Sequence, residues 1–225
     1  DDTAAARAGV MLDKYREAGI PVFIGTLASN ERDQAPFISG PDTAAGDSAA
    51  QHFTRARNLD REHRLDEARA EYIAAKDSDE LRFRAPESFN ALIRETAARH
   101  GATLVDVHGA LRAASRDGII GSDLMLEHVH PNAEGYFRMA GAFYPALVQW
   151  AGTPSVEVDE QTARAQMPLT EVDRLHGAFR MAALTNDWPF VAERRPTQHV
   201  ELDRPDQDPA RREQLLAELA RLWRE

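Results

Sequence analysis

The sequence predicts an α/β fold in which a partial parallel sheet lies between helices as an α/β/α sandwich. Two short apolar runs, residues 20–27 and 102–107, are typical of strands that are buried on both faces. Helical patterns flank both runs, and such alternation is typical of parallel strands joined by helical crossovers. We therefore expect parallel pairing with right-handed connections.

Apolar residues at spacings of three and four predict the helices. The predicted helices cover residues 4–18, 49–59, 65–76, 88–100, 109–115, 133–150 and 169–184. Residues 153–166 are polar and are predicted to be irregular, and residues 193–208 to form an exposed loop. The Asp208-Pro209 pair predicts the start of a last, amphipathic helix, because Asp is a good N-cap and Pro fits the first helical position.

Composition excludes several classes of partner. With 27 basic and 37 acidic residues the net charge is −10, which argues against nucleic acid. The chain has no Cys, which excludes disulfides and thiolate metal sites. No apolar run approaches the roughly 18 residues of a membrane span. The sequence does not assign a compartment, and an extracytoplasmic location stays open if an export signal lies upstream.

The strongest chemical signal follows the second predicted strand, where ligands and catalytic groups of parallel sheets gather. It reads Glu127-His128-Val129-His130-Pro131-Asn132. An acid three residues before a His can bond one imidazole nitrogen and leave the other free to take a proton from a hydroxyl. We therefore expect Glu127 and His130 to be an acid–base pair, with Asp123 as a second choice of acid.

Two other interpretations of this segment stay open. His130 can be a structural or surface histidine, and His128 is expected to be a packing or surface residue. Zinc is ligated by His and carboxylates, so Glu127, His128 and His130 could hold a metal. No third His lies near them in sequence, and we expect no metal and no organic cofactor.

The segment resembles the last conserved block of SGNH (GDSL-like) hydrolases, which has the form Asp-x-x-His-Pro followed by Asn and Gly. The match lies at His130, Pro131, Asn132 and Gly135, and the departure is Glu127 in place of Asp. The resemblance implies a flavodoxin-like sandwich and a serine ester hydrolase. It also implies that His130 is the general base and that Glu127 orients it.

Further segments resemble a bacterial subgroup of this family that carries tetratricopeptide-type insertions. These are residues 26–37, residues 79–86 and the Leu-Asp-Glu-Ala-Arg-x-x-Tyr segment that starts at Leu65. The resemblance divides the chain into residues 1–43 and 84–150 as the C-terminal part of the hydrolase domain, 44–83 as an inserted helical hairpin, and 151–225 as an extension. A single hairpin cannot bury its own face, so it must pack on the main domain or on further repeats.

The resemblance also implies that the nucleophilic half of the domain is missing, because the family's Ser, Gly and Asn blocks precede the strand that begins here at Ile20. The start of the chain, without Met or a leading strand, agrees with a cut. Gly46-Asp47-Ser48 spells the nucleophile block but lacks the strand that must lead into it. We expect Asp47 or Ser48 to be a helix N-cap.

The sequence thus predicts the acid–base part of an esterase that acts on a small-molecule, glycan or lipid ester. Asn30 and Arg84 are candidate substrate-binding residues. Asn30 is not the family's oxyanion Asn, because it follows the wrong strand. Arg84 could reach an acyl carbonyl or an anion, or could pair with Asp79. The alternative is a non-catalytic interaction module that binds a protein partner through the hairpin or the last helix.

Overall fold

A computed structural model describes residues 2–41, 46–153 and 159–191, with side chains from Ala5 onwards. The chain is mixed α/β and mostly helical, and it divides into two compact units, Asp1–Val158 and Asp159–Glu225. Within the described ranges, no helix combines the length and the apolar character that a membrane crossing requires.

The sheet of the first unit consists of two parallel strands, β1 (Phe23–Gly25) and β2 (Thr103–Val105), as the sequence predicts. Ile24 lies opposite Leu104 in the register. Backbone hydrogen bonds extend the ladder at both ends, because Thr103 N donates to Val22 O at 2.8 Å and Thr26 N donates to Val105 O at 3.0 Å. The regular strands are nevertheless shorter than the apolar runs that predict them.

The helices of the first unit confirm the sequence prediction to within two residues at each end. They are α1 (Asp2–Glu17), α2 (Ala49–Arg61), α3 (Leu65–Asp77), α4 (Glu87–His100), α5 (Val107–Ala114) and α6 (Ala133–Ala151), and a 3-10 turn at Arg116–Gly118 follows α5. α4 packs on both strands and on α1, while α6 packs on β2 and on α5.

The main core lies where β2, α5 and α6 meet the loop that follows the 3-10 turn. Its buried residues are Val105, Val107, Leu111, Ile120, Leu124 and Met125. Partly buried side chains of α6, including Met139 and Phe143, pack against this cluster. The loop that carries Glu127 and His130 is therefore anchored in the core by its own apolar residues.

The α2–α3 hairpin buries its inner face against the rest of the first unit. Its buried residues are Ala56, Leu59, Ala68 and Tyr72, and they cluster with Ile119 of the loop before Glu127. Arg32 joins the same two parts of the unit, because its guanidinium contacts Asp60 of α2 at 3.0 Å and Asp117 at 3.2 Å. The hairpin therefore packs on the main domain, which is one of the two arrangements that its sequence requires.

The second unit contains α7 (Glu160–Ala165) and α8 (Glu171–Leu184) within its described part. The prediction that residues 153–166 are irregular is wrong for α7. This helix is short and lacks an apolar stripe, but Asp159 caps it by accepting from Thr162 N at 2.9 Å. The predicted loop at 193–208 and the last amphipathic helix lie outside the described residues.

Candidate active site

The candidate site is built on the irregular segment from Ile119 to Asn132, called here the 119–132 loop. It lies against residues 30–32, which follow the carboxyl end of β1. Glu31 N and Arg32 N both donate to Ile120 O, at 2.8 and 3.0 Å, and Asn30 N donates to His128 O at 2.9 Å. These bonds hold Glu127 and its neighbours against the segment that leaves the carboxyl edge of the sheet, where parallel sheets carry their functional groups.

Glu127 and His130 are in direct contact. Glu127 Oε1 accepts from the backbone N of His130 at 2.6 Å and contacts the ring Nδ1 at 2.5 Å. The Glu127 side chain is 2% exposed, whereas that of His130 is 60% exposed. Because an ionised carboxylate only accepts hydrogen bonds, the contact assigns the imidazole proton to Nδ1. Among the described residues, Nε2 makes no hydrogen bond, so its lone pair is available at the surface.

His128 approaches the same carboxylate from the other side. Its Nδ1 contacts Glu127 Oε2, and its ring lies edge-on to Phe37 with the centroids 5.2 Å apart. Burial, helped by the positive charges of His130 and Arg84, lowers the pKa of His128 to about 4. The ring is therefore neutral at pH 7. The ring packs against Phe37, which is one of the two placements expected for His128, while its role stays a prediction.

The residues after His130 that match the family block hold the loop on α6. Asn132 is the N-cap of α6, where its Oδ1 accepts from Gly135 N at 3.0 Å, and its Nδ2 donates to Asp123 O at 3.0 Å. A Cβ added at Gly135 would lie only 2.2 Å from Leu124 O. Asn132 and Gly135 therefore act structurally, by joining the first turn of α6 to the loop. Asp123, the second choice of acid, accepts from Arg116 N at 2.8 Å instead of contacting His130.

The two candidate substrate-binding residues lie beneath this surface. Arg84 is 2% exposed and donates to Asn30 O at 3.0 Å, to Gln34 O at 2.8 Å and to Asp79 Oδ2 at 3.3 Å. Asn30 is 4% exposed, and its Oδ1 accepts from Asp33 N at 2.9 Å. The pairing of Arg84 with Asp79 was one of the two interpretations that its sequence allowed. In this arrangement both residues brace the segment that carries the site, and their role toward a substrate stays a prediction.

A buried pair beside the site has no clear signal in the sequence. His108 Nε2 contacts Glu31 Oε1 at 3.1 Å, and both residues are buried. The chain brings them together from 77 positions apart. The nearby sequence feature is Asp106, the N-cap of α5. Its side chain also accepts from Thr26 Oγ1 at 3.0 Å, and this contact fixes the start of the helix that carries His108.

Ser48 occupies the N-cap of α2, as its sequence predicts. Its hydroxyl accepts from Gln51 N at 3.3 Å, and Gln51 Oε1 accepts from Ser48 N at 3.1 Å, which completes a capping box. This geometry supports a helix start at Ser48. Across the described ranges, no group of three His, Asp or Glu side chains is placed to hold a metal ion.

Comparison of the chain with protein-family models, with curated proteins and with solved structures gave no match. The likeness to SGNH hydrolases therefore depends on the residues quoted above.

Proposed function

We propose that this chain provides the acid–base pair of an SGNH-type serine ester hydrolase. The observation that carries the proposal is the pairing of a buried carboxylate, Glu127, with an exposed imidazole, His130, whose Nε2 is unoccupied among the described residues. The two-stranded parallel sheet would then be the C-terminal part of a larger α/β/α sandwich.

In this reaction His130 Nε2 takes the proton from a serine hydroxyl as its oxygen attacks the ester carbonyl. The same nitrogen then gives that proton to the leaving alcohol, and water repeats the cycle on the acyl-enzyme. Glu127 holds the Nδ1 proton and stabilises the imidazolium that forms at each step. Neither a metal nor an organic cofactor has a part in this chemistry.

The nucleophilic serine and the oxyanion donors would come from outside this sequence. Support for an external nucleophile comes from Ser48, whose hydroxyl caps α2, and from His130, whose Nε2 makes no hydrogen bond to any described residue. Support also comes from the order of the conserved blocks in the family that the chain resembles. On this proposal the chain alone hydrolyses esters slowly, because activation of a nucleophile needs the nucleophile within reach of the base.

The test compares the chain with a version that is extended at its N-terminus by the sequence encoded upstream. Both are treated with a fluorophosphonate probe and assayed with p-nitrophenyl acetate. The expected result is one labelled serine in the added segment, with labelling and turnover lost in His130→Ala and reduced about 10⁴-fold in Glu127→Gln, the scale seen when a triad acid is neutralised.

Two results would contradict parts of the proposal. Robust His130-dependent turnover by the present chain would refute an external nucleophile, and Ser48→Ala would then be the next variant to assay. An extended chain that is folded but neither labels nor turns over any acyl ester would refute the esterase. Arg99→Ala is the matched control, because Arg99 is exposed and, within the described part of the chain, its ion pair is with Glu95 on α4.

The second candidate is an interaction module without catalysis. Several large apolar side chains of α1 and α6 are exposed, among them Val10 at 57%, Met11 at 53% and Trp150 at 61%. Exposed apolar patches often mark protein contacts. Substitution of Met11 and Trp150 by Ser would abolish capture of a protein partner under this alternative while Glu127 and His130 could be replaced without effect.

A further inference from the structure

Glu127 differs from the aspartate of the family block by one methylene, and the structure shows how the longer side chain is held. Oε1 contacts the backbone N and Nδ1 of His130, while Oε2 contacts His128 Nδ1. Oε2 has no hydrogen bond within the described residues, although the side chain is almost completely buried. A buried carboxylate oxygen without a donor is costly, so the nature of this contact matters.

His128 can supply the donor that Oε2 needs only if its proton is on Nδ1. Its ring packs against Phe37 and Phe83, with centroids 5.2 and 5.9 Å away, and this packing restricts its orientation. The charged groups that face it are Glu127 from its own loop, the neighbouring His130 and the buried Arg84. Burial, with His130 and Arg84 close by, opposes a second proton on the ring and keeps His128 a neutral donor.

We propose that His128 is a positioning residue, which donates its Nδ1 hydrogen to Glu127 Oε2 and so holds the longer acid in reach of His130. A glutamate has one more rotatable bond than an aspartate, and its carboxylate needs a second fixed contact to keep a single orientation. The consequence is a preferred Nδ1–H tautomer of His130. The catalytic meaning of this arrangement rests on the proposed esterase function, whereas the tautomer itself does not.

Two variants separate the donor from the ring. His128→Phe keeps an aromatic ring against Phe37 and Phe83 but has no donor. His128→Asn loses the ring but places an amide N–H close to the position of Nδ1. ¹⁵N chemical shifts of the imidazole nitrogens report the tautomer of each neutral histidine directly, in the full chain and without any substrate.

In the wild-type protein at neutral pH we expect both His128 and His130 to carry the proton on Nδ1. In His128→Phe the ratio of Nδ1–H to Nε2–H forms of His130 should fall roughly tenfold, the scale of one hydrogen bond to a charged group. In His128→Asn the ratio should stay near the wild-type value.

An Nε2–H tautomer at His128 in the wild-type protein would overturn the proposal without any variant. An unchanged His130 ratio in folded His128→Phe, or an equal fall in both variants, would overturn it as well, because the donor would then have no part. Failure of the esterase proposal would give a different result from failure of the His128 proposal. The histidine tautomers would be as expected, while the N-terminally extended chain would hydrolyse no ester.

Discussion

The α2–α3 hairpin and the 119–132 loop meet at Ile119, yet they are held by different kinds of interaction. The hairpin consists of regular helices whose small residues, Ala56 and Ala68, are fully buried between them. The loop has no regular structure except a short bridge between Met125 and Pro131, and it is held by buried side chains and long-range polar contacts. The comparison teaches that the candidate chemistry lies in the region with the least local structural preference.

The largest expected effect is on the polar support of the loop region. Arg84→Ala removes the buried partner of Asp79 and two hydrogen bonds to the carbonyls of Asn30 and Gln34. Breaking a buried ion pair costs about 3–5 kcal/mol, because the remaining charge is left unpaired. Urea unfolding followed by circular dichroism measures the loss, and Arg99→Ala on the exposed face of α4 is the control. Equal stability of the two variants would show that the buried pair does not brace the site.

The second effect tests the junction of the two regions. Ile119 is fully buried among hairpin residues, so Ile119→Ala should reduce the free energy of unfolding by about 2–4 kcal/mol. Hydrogen exchange should quicken in α2 and α3 more than in α6. Ile38→Ala, at a side chain that is 41% exposed, is the matched control. A uniform change in exchange would mean that the hairpin does not depend on this contact.

The third effect is a pH dependence that arises in the loop, at His128. The folded protein lowers the pKa of His128 from 6.5 to about 4, so below pH 6.5 the unfolded chain binds a proton that the folded chain does not. The stabilisation is therefore complete above pH 6.5 and is lost as the pH falls toward 4.

We expect the His128 pKa shift to contribute about 2 kcal/mol to the free energy of unfolding. This is less than the whole pKa shift would give, because the ring is not completely buried. Stability curves of wild type and His128→Phe between pH 7.5 and 4 measure it. The variant should lose less stability on acidification, and parallel curves would contradict the assignment.

The smallest effect concerns the hairpin. Ser48→Ala removes the side-chain cap of α2 and should cost about 1 kcal/mol, while Ser48→Asn keeps a capping oxygen and should cost little. Thermal unfolding measures both. The same alanine variant should leave any esterase activity of the extended chain unchanged. A stability-neutral but inactive Ser48→Ala would reverse the interpretation and make this hydroxyl the nucleophile.

The sequence predicted the helices and the pairing of Glu127 with His130 because both depend on near neighbours. A helix repeats its buried positions every three or four residues, and Glu127 reaches His130 across a gap of three. The Ser48 cap was equally local. The short helix α7 was not predicted, because six residues are too few to show a helical period and its sequence signal is the Asp159 cap.

By itself the sequence determined the helices of the first unit, the two apolar strands and the contact between Glu127 and His130. The tertiary structure alone decided what surrounds that pair. It brought Arg84 under Asn30, placed His108 against Glu31, and turned His128 onto the second oxygen of Glu127. These contacts join residues that are distant in the chain or whose orientation depends on packing. The spacing of apolar residues along the sequence does not predict these contacts, because their energies depend on burial and on charges that only the folded chain brings together.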